Sequence, residues 1–213
     1  MHCIKNKLTT EGLAHNERRM SRFDFLRVEI HTYSWNGESS HYDTSIKAWV
    51  PVKAGGMQVL RTGSGMSHAE RVGAGCRGFQ IWFDPGPEAL KRPATYDVYP
   101  PSALQPVRND QGLHITQYVG GSSPDLIRSE VPGLYIVRYQ ANEGDVNGVS
   151  IKVEKGHSAM LYCLGGNVSL PEALKEAPLA MNDTMALHGG AELYLDLHKG
   201  ADVFMIKTPL VDQ

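Results

Sequence analysis

The sequence predicts an all-β protein built as two barrels or sandwiches in tandem. Short runs rich in β-branched and aromatic residues recur from end to end, separated by Gly, Pro and Asn. A proline-punctuated stretch divides these runs into two halves, and one short segment alone reads as helix. Many short strands with frequent turns are the pattern of sandwiches and barrels.

Taken in order, the first run spans Phe23 to Trp35 and meets Asn36-Gly37, a two-residue hairpin signal. Glu38 to Asp43 returns from that turn, and Ile46 to Val50 comes next, before Pro51. Lys53-Ala-Gly-Gly56 leads into Met57 to Arg61, and further strands are expected at Met66 to Arg71 and Phe79 to Phe83. Pro85, Pro87, Pro93, Pro100, Pro101 and Pro106 punctuate residues 84–110, which cannot form a regular ladder throughout. The strand pattern resumes with Leu113 to Val119, Leu134 to Gln140, Val149 to Glu154, Ser158 to Cys163, Glu192 to Leu197 and Val203 to Ile206. Pro171 to Ala177, with Pro in its first turn, is the expected helix. The division implied is an arm at 1–22, a first barrel with its connector at 23–110, and a second barrel at 111–213.

Composition excludes several classes. A net charge of −2 is spread along the 213 residues with no basic block, so no nucleic-acid footprint is expected. No apolar run is long enough to span a bilayer. The first twenty residues lack the apolar core of a secretory signal, and Cys3, Cys76 and Cys163 are odd in number, without CxxC spacing. These features point to a cytoplasmic protein with free thiols. No residue pattern demands an oligomer.

The chemistry-bearing segment is Thr62-Gly-Ser-Gly-Met-Ser-His-Ala-Glu70, with Phe79-Gln-Ile-Trp82 shortly after it. On a strand, residues two apart share a face, so His68 and Glu70 project together, as two ligands of one metal must. The glycines at 63, 65, 73, 75 and 78 do not make a phosphate loop, because no Lys-Ser/Thr comes after them and no helix is opened. His157, His188 and His198 read as turn residues. Nothing near Cys76 lowers its pKa, so it reads as an unreactive thiol.

The segment Glu29-Ile-His-Thr-Tyr-Ser-Trp-Asn-Gly-Glu-Ser-Ser-His-Tyr-Asp-Thr44 resembles the signature of the pirin family, in which Glu-x-x-Thr-Tyr leads to a Gly-Glu turn and His-x-Asp-Ser. Gly55 to Glu70 is similar to the family's second signature, and Gln80-Ile-Trp82, Pro93, Tyr96 and the closing Thr208-Pro209-Leu210 agree with the family's pattern downstream of it. The resemblance implies a tandem cupin, or bicupin: two stacked β-barrels with one iron in the first. It further implies quercetin 2,3-dioxygenase activity in some members and iron-dependent transcriptional coregulation in others.

In that family three histidines and a glutamate hold the iron. His68 and Glu70 fall on the last two ligand positions, while Phe23 and Phe25 fall on the first two, and phenylalanine offers no lone pair. Fe(II) in oxygen chemistry needs at least three protein ligands. His31 and His41 are the candidate substitutes. Counting by twos through Phe23, Phe25, Arg27 and Glu29 places His31 on the shared face, and His41 lies on the paired strand. His41 also matches the family's structural His-x-Asp, and a strand histidine such as His31 is commonly a satisfied core residue. Phe23 and Phe25 would fill the vacated space.

The expectation is therefore a pirin-like bicupin with an impaired or absent metal site. It would serve as a binding or regulatory module, or be a degenerate paralogue, with a small-molecule ligand in the first barrel. The alternative is an Fe(II)-dependent dioxygenase of the quercetinase type. It would use His68, Glu70 and a substitute histidine, with Glu70 also catalytic.

Overall fold

The computed structural model describes residues 4–6, 24–25, 27–121, 127–174 and 176–210. They form an all-β architecture of nineteen strands with three short 3-10 turns among the described residues. The chain divides into two compact units: residues 1–104 with 129–132, and residues 105–128 with 133–213.

The first unit holds β1 (Ile4–Asn6), β2 (Asp24–Phe25), β3 (Glu29–Asn36), β4 (Glu38–Asp43), β5 (Trp49–Lys53), β6 (Met57–Arg61), β7 (Met66–Val72), β8 (Arg77–Phe83) and β9 (Thr95–Tyr99). One sheet runs β1-β8-β3-β6-β9 and the other β2-β7-β4-β5. The chain crosses between sheets at nearly every turn. Ile30, Leu60 and Met66 form an apolar cluster of this unit, with Val28, Trp82, Ala94 and Tyr96 packed against it.

Several sequence expectations shift. The run Phe23 to Trp35 is not one strand: Arg27 takes φ 57, and β2 and β3 on either side of it belong to different sheets. Phe23 lies outside the described residues. Asn36-Gly37 does not close a hairpin, because β3 pairs with β6 and β8 while β4 pairs with β5 and β7. Gly37 (φ 73) instead turns the chain from one sheet to the other, and a Cβ there would meet the Cys76 Cα at 2.9 Å.

The strand expected before Pro51 runs through it, as β5. It is the edge strand of its sheet, where a missing N–H costs no ladder bond. The proline-rich stretch is not a ladder throughout, yet β9 lies between Pro93 and Pro100 and extends the first sheet beside β6. On either side are the 3-10 turns Pro87–Lys91 and Pro101–Ala103.

The second unit holds β10 (Val107–Arg108), β11 (His114–Val119), β12 (Tyr135–Gln140), β13 (Val146–Val153), β14 (His157–Gly165), β15 (Asn167–Ser169), β16 (Leu179–Ala180), β17 (Thr184–His188), β18 (Ala191–Leu197) and β19 (Asp202–Pro209). Its sheets run β10-β11-β12-β19-β14-β17 and β13-β18-β15-β16. The inward positions of β13, Val149, Ile151 and Val153, alternate with exposed ones and face Leu193, Leu195 and Leu197 of β18 in one apolar core. The expected helix at Pro171 to Ala177 is a single 3-10 turn, Glu172–Leu174, and Lys175 lies outside the described residues. His157, His188 and His198 sit at strand ends: His157 opens β14, His188 ends β17, and His198 comes just after β18, bonded to Ser169 Oγ at 2.8 Å.

Candidate functional site

Strand alternation builds the site. Along β7 the inward positions are Met66, His68 and Glu70, all buried, with Ser67 and Ala69 between them more exposed. β4 lies antiparallel beside it, with His41 opposite Glu70 and Asp43 opposite His68. Four ionisable side chains therefore meet on one inner wall of the first unit. From the facing sheet come Thr32 of β3, Gln58 of β6, Gln80 of β8 and Tyr96 of β9. Thr32, Gln58 and Gln80 share one register level, Tyr96 the next.

Each of these groups is engaged by its neighbours. Glu70 Oε1 accepts from the side-chain amides of Gln58 (3.1 Å) and Gln80 (2.9 Å), and Oε2 accepts from Gln80 (3.0 Å). The amides are themselves oriented: the Tyr96 hydroxyl donates to Gln58 Oε1 at 2.9 Å, and the Trp82 indole donates to Gln80 Oε1 at 3.0 Å. His41 Nε2 bonds Asp43 Oδ2 at 3.0 Å, and its Nδ1 lies 3.7 Å from Glu70 Oε1. The His41 ring stacks on Tyr96 (4.6 Å, 5°) and on His68 (5.4 Å, 25°). Asp43 Oδ1 also accepts from the Ser45 hydroxyl and the Ser45 and Ile46 amides, fixing the turn after β4.

The electrostatics derive from these contacts. Burial opposes ionisation of Asp43, but His41, Ser45 and the turn amides outweigh it and bring its pKa down to about 2. Burial works against a charged His41, yet Asp43 and Glu70 hold its pKa above the ordinary value. His68 is held below its ordinary value chiefly by burial. For Glu70 burial acts upward, and His41, His68 and Gln80 bring it below the usual carboxylate range. Tyr96 is raised by burial and by the nearby carboxylates.

His31 does not join this group. Thr32, its neighbour on β3, faces Gln58 and Gln80, so His31 points to the opposite face of the sheet. There its Nε2 bonds Glu29 Oε1 at 2.6 Å and its Nδ1 bonds the Tyr33 hydroxyl at 3.2 Å. Counting by twos from Phe25 fails because the left-handed Arg27 breaks the alternation before β3 begins. Phe25 stands in register opposite Met66, the inward position next to His68.

Sequence reasoning singled out His68, Glu70 and His41, which the fold brings together. It missed Gln58 and Thr32 as site residues. Gln58 carried a signal: it is a polar side chain at an inward position of the otherwise apolar run Met57-Gln-Val-Leu60, and it is 3% exposed.

Among the described residues, no group of three or more His, Cys, Asp or Glu side chains is arranged to hold a metal ion.

No protein-family model matches the chain, and no curated protein sequence is similar to it. Solved structures do match. Quercetin 2,3-dioxygenase from Acinetobacter baumannii superposes with a TM-score of 0.73 at 19% identity, over 92% of this chain and 64% of that one. GK1651 from Geobacillus kaustophilus gives 0.73 at 18% identity, over 91% and 79%. The bacterial pirin YhhW from Escherichia coli, in complex with nickel(II), gives 0.69 at 17% identity, over 91% and 77%. The chain thus spans just under two thirds of that dioxygenase's length. At such identities the likeness speaks for architecture, and it is architecture that the strands above already describe: an all-β chain with the cupin fold of a pirin and of a quercetin 2,3-dioxygenase.

Proposed function

We propose that this chain is a pirin-like bicupin whose first barrel binds a small molecule rather than a catalytic metal, serving as a binding or regulatory module. The observation that carries the reading is the occupation of Glu70 and His41 by protein partners. Three amide contacts engage the Glu70 carboxylate, and Asp43 holds the His41 ring by Nε2, with Nδ1 turned to Glu70 at 3.7 Å. Phe23 and Phe25 at the two remaining family positions support it, since neither has a donor atom. The donor set does not fit a mononuclear Fe(II), which needs three converging protein ligands beside open positions.

The competing reading is a quercetinase-type dioxygenase. His41, His68 and Glu70 on one wall favour it, as does the fold shared with the Acinetobacter enzyme. Anaerobic incubation of the full chain with excess Fe(II), and separately Ni(II), then desalting and metal analysis, decides between them. Little retained metal and no quercetin turnover are expected. Near one metal per chain, with turnover lost in His68→Ala, would replace this proposal by the dioxygenase.

A further inference from the structure

A small cavity, ≈ 40 Å³, opens inside the first unit beyond Glu70. Along β7 it is lined by Glu70 and Val72 and not by His68 or Met66, so it lies away from the stacked histidines. The apolar cluster of Ile30, Leu60 and Met66 sits at the other end of the same strands. About 10–15 Å³ on this measure holds one water, so the cavity takes a group the size of a few waters.

Its chemistry is one-sided. Thr32, Ser34, Ser39 and Glu70, on the inward positions of their strands, line it, and no Lys, Arg or His does. Ser34 is 2% exposed, and its Oγ has no hydrogen bond to any described oxygen or nitrogen. Its neighbour is the Cys76 thiol, whose pKa burial raises against the opposing effect of the Ser34 hydrogen bond. With a thiol as its neighbour, a weak hydrogen-bond partner, the Ser34 hydroxyl keeps capacity for a ligand or a water. Glu70 Oε2 accepts one bond, from Gln80, of the two its lone pairs allow. The Gln58 and Gln80 amides are already committed to Glu70, Thr32, Tyr96 and Trp82, which leaves acceptors in excess.

We propose that this cavity is a binding site for a small primary ammonium group, with the Glu70 carboxylate as its counter-ion and the Ser34 hydroxyl as a second acceptor. An ammonium carries three donors and no acceptor, the complement of this wall. The Glu70 and Asp43 carboxylates on this inner wall outweigh His41, whose Nδ1 lies 3.7 Å from Glu70, and so disfavour an anion. An ammonium with one or two methylenes fills the enclosed volume, and Val72 and Phe79 flank the remaining chain. The inference rests on the reading of the barrel as a ligand site rather than a metal centre.

The test is an NMR titration of the ¹⁵N-labelled full chain, monitoring the Ser34 and Gly78 amides, with n-propylammonium, 1-propanol and propionate. Expected is a saturable shift with n-propylammonium, at least about tenfold weaker binding of 1-propanol and none of propionate, as loss of a charge-assisted bond implies. Ser34→Val and Glu70→Gln should each weaken n-propylammonium at least about tenfold. If Glu70→Gln does not fold, the ligand comparison on the unaltered chain and the Ser34→Val arm still decide. No saturable shift with n-propylammonium, or an affinity indifferent to Ser34→Val, overturns the proposal. Equal affinity for 1-propanol also overturns it, while leaving the barrel a ligand site. Retention of near one iron per chain would overturn that underlying reading instead.

Discussion

The Ser129 hydroxyl donates to Glu29 Oε1 at 2.6 Å across 100 residues of sequence, and the Glu130 amide donates to Oε2 at 2.7 Å. Glu29 is fully buried on the face of its sheet opposite the histidine pair, where it also holds His31 and lies 3.6 Å from Arg61 Nε. Burial alone would raise its pKa; His31, Ser129 and the Glu130 amide outweigh that and bring it below the ordinary value. A segment far along the chain is thus fastened to β3 by the Glu29 carboxylate, beside an ion pair of Arg92 with Glu130 at 2.9 Å.

Replacing Glu29 with Ala should lower stability by about 3–5 kcal/mol, the scale for stripping one partner from a buried charged network. The exposed pair of Glu88 and Lys91 is the control, and Glu88→Ala should change stability by less than about 1 kcal/mol. Urea unfolding of both variants checks this, and equal effects would refute the clamp.

Asp43 yields a pH prediction. Its folded pKa, about 2, lies below the ordinary value of 3.8. A depressed carboxylate contributes stability that is present above its unfolded pKa and lost as pH falls through the folded one. The unaltered chain should therefore lose about 2 kcal/mol more than Asp43→Asn between roughly pH 4 and pH 2. Parallel denaturation profiles across that window would show that Asp43 is not held this way.

Gly37 and Gly75 both take positive φ, 73 and 70. A Cβ at Gly37 meets Cys76 Cα at 2.9 Å, whereas nothing lies within 4 Å at Gly75. Gly75→Ala should cost about 1 kcal/mol from backbone conformation alone, and Gly37→Ala clearly more. Thermal midpoints in the reverse order would contradict the close approach at the sheet corner.

Phe23→His combined with Phe25→His should raise Fe(II) retention after desalting, because it places donor atoms at the two positions where the pirin resemblance expects metal ligands. Phe25 stands opposite Met66 on β7, two residues from His68, which supports the placement. Unchanged retention would mean that the family alignment misplaces these two residues.

Much of the fold was legible because alternation and turn residues act locally. Strands near 38–43, 57–61 and 66–72 could be read from their residue types and flanking glycines, although only the last shows clear period-two burial and 57–61 is buried throughout. Pairing was not legible in the same way. Asn36-Gly37 carries a hairpin signal, but whether two runs pair depends on what else competes for their edges, here β6 and β8 for β3. Pro51 argued for a strand end only while the edge position of β5 was unknown. In the site, His68 and Glu70 were visible as an i, i+2 pair, whereas the part played by Gln58 emerges only when three strands are laid side by side.

In the first unit β4 and β5 are the only consecutive strands that pair among the described residues; every other ladder joins strands separated by intervening chain. Such a topology must close long loops before contacts repay them, so folding in milliseconds to seconds is the expectation. For a chain emerging from the ribosome the delay has a definite end point. The Glu29 carboxylate gains its Ser129 and Glu130 donors only once residues 129–132 have left the exit tunnel, long after β9 is made. Until then a nascent first unit carries a buried acid short of partners, a stage at which a chaperone has most to offer.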